Sequence, residues 1–129
     1  MPEILLHYIW QQRLWSGFEQ TTTDGLSVEI ISTGQYNRNA GPDFSNAHVR
    51  IGQQDWIGNI EIHIHASDWY KHKHHTDGAY DNTILHIVCV ADKDIENTRG
   101  EKIPQCELRY PADRDYMSEW LVHAQEMQM

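Results

Sequence analysis

Residues 58–65 read Gly-Asn-Ile-Glu-Ile-His-Ile-His, and this stretch predicts the strand around which the fold is built. Isoleucine alternates with glutamate or histidine, and a period of two is typical of a β-strand with one face in the core. The isoleucines would face the core. Glu61, His63 and His65 would then form a row on the opposite face, about 7 Å from one to the next. A merely solvated face does not require a carboxylate and two imidazoles, so this row is the first candidate site.

A second carboxylate, Asp43, follows Gly41-Pro42 just before the preceding predicted strand. That strand covers residues 46–51, where apolar and polar residues alternate, and residues 52–54 supply a turn into the next strand. The two strands are predicted to form an antiparallel hairpin, which would bring Asp43 towards Glu61. Two carboxylates and a nitrogen donor on neighbouring strands can hold a divalent cation.

Hydrophobic spacing and turn signals predict the remaining elements. They are a helix over residues 3–15, a strand over 26–32, a loop over 34–43, a short helix over 67–75, a buried strand over 83–91, an edge strand over 103–110 and a helix over 113–125. The order α-β-β-β-α-β, followed by an extra strand and a C-terminal helix, predicts an α/β (α+β) fold with helices packed on a mixed central sheet.

Composition indicates one globular domain over residues 1–129, with 40% hydrophobic and 22% charged residues. The net charge of −9 argues against a general nucleic-acid binder, which would carry a basic surface. The sequence contains neither a membrane-length apolar run nor the features of a signal peptide. Two scattered cysteines do not form a disulfide framework. We therefore expect a cytoplasmic protein without a membrane partner.

Several motifs together carry a resemblance to a known family: Gly41-Pro42-Asp43-Phe44, Glu61-Ile62-His63, Ser67-Asp68-Trp69, His72-x-His74, Asp77, Tyr80-Asp81-Asn82 and residues 84–88. They resemble an uncharacterised bacterial family, common in Bacteroidetes and defined only as a domain of unknown function. The resemblance runs from about Tyr8 to Leu108. Members of that family are typically much longer than this chain, so the resemblance implies the N-terminal portion of a longer protein.

The order of elements is also similar, more weakly, to the PD-(D/E)xK nuclease-like superfamily. In that superfamily the acid of a Pro-Asp pair precedes the second strand and Glu-x-Lys lies on the third. The pattern falls on Pro42-Asp43 and on Glu61-Ile62-His63, with His63 in place of the lysine. The resemblance implies a restriction-endonuclease-like fold. It also implies a Mg²⁺ or Mn²⁺ site at Asp43 and Glu61, with His63 as the third catalytic residue, although the superfamily includes members that have lost activity.

His63 has two possible roles at such a site. Neutral histidine can act as a general base, or it can bind the ion, which favours Mn²⁺ or Zn²⁺ over Mg²⁺. Further residues are predicted to support the site or to contact substrate: His65 flanks it, Lys71 and His72 belong to the basic patch at residues 71–75, and His86 lies on the buried strand. A phosphate backbone is one ligand for that patch.

Histidine density suggests a different metal site. Six of the nine histidines fall between residues 63 and 86, and His72 and His75 are three apart on the predicted helix. With Asp77 or Asp81 they would form a zinc site. The simpler interpretation is a polar helix surface, because His-x-x-His alone is a short pattern.

Three functions are left open by the sequence. The first is a divergent metal-dependent nuclease or phosphodiester hydrolase, for which nucleic acid is the candidate partner. The second is a catalytically inactive nuclease-like domain used for binding or scaffolding. The third is a histidine-rich, zinc-dependent hydrolase. Oligomeric state is open in all three.

Overall fold

The computed structural model describes residues 1–127 as a sheet with flanking helices. The helices are α1 (Glu3–Gln11), α2 (Asp68–Lys71) and α3 (Arg114–Glu126), with 3₁₀ turns at His74–Thr76 and Gly78–Tyr80. The strands are β1 (Gln20–Thr21), β2 (Ser27–Ser32), β3 (Gln35–Tyr36), β4 (Phe44–Ile51), β5 (Gln54–His65), β6 (Thr83–Val90) and β7 (Gln105–Glu107). Every helix in this part of the chain is too short or too polar to cross a membrane.

The sheet is mixed and has seven strands, in the order β1-β2-β4-β5-β6-β7, with β3 paired to β4. The predicted antiparallel hairpin of β4 and β5 is confirmed. Strand β6 runs parallel to both β5 and β7. Parallel neighbours require a crossover connection, and residues 66–82, which contain α2 and both 3₁₀ turns, supply it between β5 and β6. The α+β class with a mixed sheet is therefore as expected.

The predicted edge strand over residues 103–110 differs most from the structure. Only Gln105–Glu107 form a strand. The edge of this strand that faces away from β6 contacts the chain next to β1, the first strand of the sheet. The Thr23 N–H donates to the Gln105 carbonyl at 2.9 Å. The Gln20 side chain accepts from the Arg109 N–H at 2.9 Å and donates to the Arg109 carbonyl at 2.8 Å. These bonds nearly close the sheet into a barrel-like form, which satisfies polar groups that a free edge would expose.

Two predicted helices are shorter than expected because single residues take the left-handed conformation. Arg13 has φ 57°, and α1 ends at Gln11 rather than Trp15. Lys73 has φ 59°, so the helix predicted to reach His75 ends at Lys71. The chain turns at Lys73 and enters a separate 3₁₀ turn. This reversal places His74 inside the protein, where it is 7% exposed.

Strand β5 was expected to be half-buried, and this expectation is wrong. Ile60 and Ile62 are fully buried as predicted, but Glu61 is only 3% exposed and His63 only 1%. The crossover segment, anchored by the buried Trp69, covers the polar face of the strand. Alternation in a strand predicts which residues share a face, but it does not show whether another segment covers that face.

Gly58 allows β5 to lie close to β6. A Cβ at this position would lie 2.5 Å from Ile84 Cγ2 and 2.8 Å from the Asn82 carbonyl oxygen. We expect Gly58→Ala to lower the free energy of unfolding by about 1–3 kcal/mol through overpacking, as measured by urea denaturation. Gly78→Ala is the matched control, because the nearest atom to its added Cβ is 4.0 Å away. Equal effects of the two substitutions would contradict this packing.

Candidate metal centre

The buried face of β5 and the turn after α2 bring three histidines around Glu61. Glu61 Oε2 lies 2.8 Å from His74 Nε2 and 3.4 Å from His63 Nε2. One nitrogen each from His63, His72 and His74 lie within 4.8 Å of one another. Three imidazoles therefore lie together, and Glu61 contacts two of them, which is a set of nitrogen and oxygen donors that suits zinc or manganese.

Packing holds the histidine rings in place. The Tyr80 ring stacks on His74 with 3.7 Å between ring centroids, and the Trp69 ring meets His74 edge-on at 5.2 Å. His72 is exposed at the mouth of the group, with its ring 5.2 Å from that of His63. His63 and His74 are thus fixed from inside, while His72 closes the group on the solvent side.

A chain of hydrogen bonds fixes the tautomer of His63. The Gln105 amide donates through Nε2 to the Lys93 carbonyl at 2.8 Å, so its Oε1 faces His86 Nδ1 at 2.7 Å. His86 Nδ1 must therefore carry a proton, and neutral His86 accepts through Nε2. His63 Nδ1, 2.7 Å away, must then be the donor. Neutral His63 consequently points the lone pair of its Nε2 at Glu61.

Two acceptors face each other as a result. A lone pair on His63 Nε2 and an ionised Glu61 oxygen repel unless a proton or a cation lies between them. His74 Nε2 is also buried, and its approach to Glu61 is off the line of an aligned hydrogen bond. That nitrogen therefore has no hydrogen-bond partner among residues 1–127. Buried polar atoms are rarely left without a partner, which makes this nitrogen a candidate ligand for a cation.

Asp43 and Glu61 meet in the same cleft. The Asp43 N–H donates to Glu61 Oε1 at 3.2 Å, and the Ile62 N–H donates to Asp43 Oδ2 at 2.8 Å. Each carboxylate is thus held by the backbone next to the other. Since Glu61 Oε1 is used in this contact, Oε2 is the oxygen that faces the histidines.

Burial shifts the pKa values of the buried carboxylates and histidines. It raises the pKa of Asp43 to about 8, with the charge of Glu61 adding to the effect, and it raises the pKa of Glu61 to about 7. Burial lowers the pKa of His63 to about 2 and that of His86 to about 4. The pKa of His74 is also lowered, again mainly by burial. Without a cation, the environment disfavours charge on every one of these groups.

Raising the pH should therefore destabilise the metal-free protein. Asp43 and Glu61 have folded-state pKa values above their ordinary values, so their contribution to stability is lost as pH rises through about 7 and 8. Histidines with lowered pKa values are almost wholly neutral in both states above about pH 7 and add little there. We expect a loss of about 1–2 kcal/mol between about pH 7 and 9, as measured by chemical denaturation with a chelator present.

The Asp43→Asn variant serves as the control for this pH effect. It removes the group with the larger shift and should flatten the pH dependence. Stability of the wild type that stays constant or rises over this range would contradict the buried-carboxylate account.

The predicted site residues divide into two sets. The structure brings together Asp43, Glu61, His63 and His72, with His86 directly behind His63. His65 and Lys71 lie elsewhere. His65 is exposed at the end of β5, and Lys71 is exposed near Asp68 at 3.8 Å.

Of the alternative zinc set, His72 lies in the histidine group, and the other three residues have other partners. His75 packs against Tyr70 with ring centroids 4.8 Å apart. Asp77 accepts from the Ala79 N–H, and Asp81 is bonded to Thr98. This alternative assumed an unbroken helix, whereas the reversal at Lys73 turns His74 rather than His75 towards His63 and His72.

Sequence reasoning missed His74 as a site residue, although the His72-x-His74 spacing was visible. Side chains two residues apart lie on the same side of a strand or a turn. On a helix, the same spacing would point the two rings in different directions. Gln105 was also missed. It lies 19 residues after His86, and nothing local indicates that the two side chains meet.

A family model described as a protein of unknown function, DUF2851, matches residues 3–128. The chain belongs to the DUF2851 family. No curated protein and no solved structure matches this DUF2851 chain. The likeness to PD-(D/E)xK nucleases and to a restriction-endonuclease-like fold stays a prediction. The histidine group of this DUF2851 domain must accordingly be interpreted from its own chemistry.

Proposed function

We propose that this DUF2851 domain is a metal-dependent hydrolase whose ion is held by His63, His72, His74 and Glu61. The observation that carries the proposal is the hydrogen-bond chain from Gln105 through His86, which leaves the lone pair of His63 Nε2 facing Glu61. A metal centre requires the lone pair that this network provides.

The separation of the donor atoms supports the same proposal. Two ligand atoms each about 2.1 Å from one ion, at angles of about 90–110°, are about 3.0–3.4 Å apart. His63 Nε2 and Glu61 Oε2 are 3.4 Å apart, which is long for a hydrogen bond but fits two ligands of one ion. His74 Nε2 and Glu61 Oε2, 2.8 Å apart, are closer than this range and would have to separate slightly on binding. Because imidazole nitrogens bind Zn²⁺ and Mn²⁺ better than Mg²⁺, we expect Zn²⁺ or Mn²⁺ at this site. The expected Mg²⁺ site at Asp43 and Glu61 alone is the weaker proposal on this chemistry.

The residues of the chain have distinct roles in this proposal. The ion would be bound by His63, His72, His74 and Glu61. Gln105 and His86 orient His63, as outer hydrogen-bond partners do at metal sites. The Asp43 backbone orients Glu61 so that one of its oxygens is left for binding. When bound, the ion would lower the pKa of a coordinated water and polarise a phosphoryl or carbonyl oxygen. His63 is therefore a ligand here rather than the general base.

Hydrolysis of a chromogenic phosphodiester tests the proposal. The protein is stripped with chelator and assayed with Zn²⁺, Mn²⁺ or Mg²⁺, in parallel with single-stranded and duplex nucleic acids and a carboxyl-ester substrate. We expect activity that requires Zn²⁺ or Mn²⁺ and is lost with chelator. Hydrolysis that is equal with and without a metal would contradict the proposal.

A scaffolding or binding domain is the second candidate, and the net charge of −9 favours it over a nuclease because polyanions are repelled. In that case the ion would be structural. Tight metal binding together with no hydrolysis of any substrate class would support this candidate. Zinc would then raise the unfolding temperature without conferring activity.

A further inference from the structure

We infer that Glu3, His7 and Asp43 form a second divalent-cation site, which adjoins the histidine centre at the contact between Asp43 and Glu61. This inference extends the proposed function to a two-metal centre, but binding at the second site does not require the first ion. The ligand class is a divalent cation with mixed oxygen and nitrogen coordination, for which Mn²⁺ is well suited.

Helix α1 and the start of β4 build this site. Glu3 and His7 are four residues apart on α1, so their side chains lie on one helix face. Asp43, just before β4, faces them. One donor atom from each of the three residues lies within 4.8 Å of the others.

His7 provides an independent indication that the site has a ligand. The residue is 6% exposed, and its Nε2 is buried without a hydrogen-bond partner in the described part of the chain. That nitrogen lies 3.5 Å from Glu3 Oε1 and 3.6 Å from Asp43 Oδ2. Both separations exceed a normal N–H···O bond of about 2.7–3.2 Å. They are close to the spacing of about 3.0–3.4 Å expected for two ligands of one ion.

The other ring nitrogen of His7 is occupied. His7 Nδ1 contacts the Tyr36 hydroxyl at 3.3 Å. This contact fixes the ring so that Nε2 points between the two carboxylates. The arrangement resembles that of His63 in the first centre. In both sites, one ring nitrogen of the histidine contacts a protein group and the other faces a carboxylate.

Asp43 connects the two candidate sites. Its Oδ2 faces His7, while its backbone N–H holds Glu61 Oε1. Three carboxylates would offset three of the four positive charges of two divalent cations, because Glu61 faces the first and Glu3 with Asp43 face the second. Asp43 and Glu61 are both largely buried, and two ionised carboxylates this close together are destabilising without such compensation.

The second site opens to solvent in a sizeable cleft. A cavity of about 480 Å³ is lined by Glu3, His7 and Asp43 together with Tyr36, Arg38 and Asn39, among others. An ion here would meet substrate directly. Adjacent cations that clamp the attacking and leaving oxygens are typical of phosphoryl transfer, so the substrate class we infer is a phosphate ester.

Manganese titration of the intact protein tests this inference. Bound Mn²⁺ is counted by equilibrium dialysis and by electron paramagnetic resonance, which detects magnetic coupling between adjacent ions. We expect two Mn²⁺ per chain in the wild type and one in Glu3→Gln. Glu3 suits this substitution because its side chain is 42% exposed. Glu19→Gln, at another exposed acidic residue, is the matched control and should still bind two.

The His72→Ala variant distinguishes failure of this inference from failure of the proposed function. It should lose the first ion and keep the second. If Glu3→Gln and Glu19→Gln bind the same number of ions as the wild type, and His72→Ala alone loses one, the second site is overturned while the first stands. If Glu3→Gln alone loses an ion, the second site stands and the proposed function fails. Binding of no ion by the wild type overturns both.

Discussion

Replacing His72 by alanine is expected to weaken zinc binding more than about 100-fold and to leave the stability of the metal-free fold unchanged. Loss of an outer partner alone typically weakens metal affinity about 10–100-fold, so loss of a ligand should cost more. His72 is exposed, and the metal-free protein gains little from its packing. Zinc at about 100 times its dissociation constant should add about 2.7 kcal/mol to wild-type stability, and at most about 0.4 kcal/mol to that of the variant.

His65→Ala is the matched control for this measurement. His65 is an exposed histidine on the same strand as His63, outside the histidine group. Denaturation with and without zinc should give wild-type behaviour for this variant. A zinc effect reduced equally in both variants would indicate nonspecific binding by surface histidines and would contradict the assignment of His72.

The His63→Lys variant is expected to lose metal-dependent hydrolysis by at least about 100-fold. An ammonium group cannot coordinate an ion until it loses its proton. If His63 only replaces the lysine of the nuclease pattern, the same change should preserve or raise activity. The variant therefore separates a ligand from a lysine substitute, with hydrolysis and bound zinc measured on the same sample.

Folding must be checked in parallel, because His63 is only 1% exposed. Circular dichroism and the unfolding midpoint of the metal-free variant provide this check. Glu61→Gln is a second variant that keeps the side-chain shape and removes the charge. It should reduce zinc binding without destabilising the fold by burying an ammonium group. Retained metal-dependent activity in both variants would contradict the histidine centre.

Local patterns predicted β2, β4, β5 and β6 well, but they missed β1 and also β3, which lies in the predicted loop over residues 34–43. They predicted burial poorly. The alternation at residues 58–65 and the turn at residues 52–54 were enough to predict the β4–β5 hairpin, and this pairing brings Asp43 to Glu61. The same alternation did not reveal that residues 66–82 cover the polar face. Because of this coverage the row of side chains is buried rather than solvated, and an ionised side chain there is destabilising.

The remaining features depend on contacts between distant residues. The sheet is closed by Gln20 and Arg109, which are 89 residues apart. The tautomer of His63 is set by Gln105 through His86, and the second cation group takes Asp43 from the start of β4 and two residues from α1. A single left-handed residue, Lys73, determines whether His74 or His75 enters the site. None of these relations has a signal within a short window of sequence.

Anomalous diffraction from crystals of the zinc-loaded protein tests the metal centre most directly. Data collected on both sides of the zinc absorption edge locate the ion independently of any assumed ligand. We predict a peak bounded by Nε2 of His63, donor nitrogens of His72 and His74, and Oε2 of Glu61, at about 2.0–2.2 Å from each. Crystals soaked in zinc that show no peak at this position, with a direct contact retained between Glu61 and His74, would contradict the account.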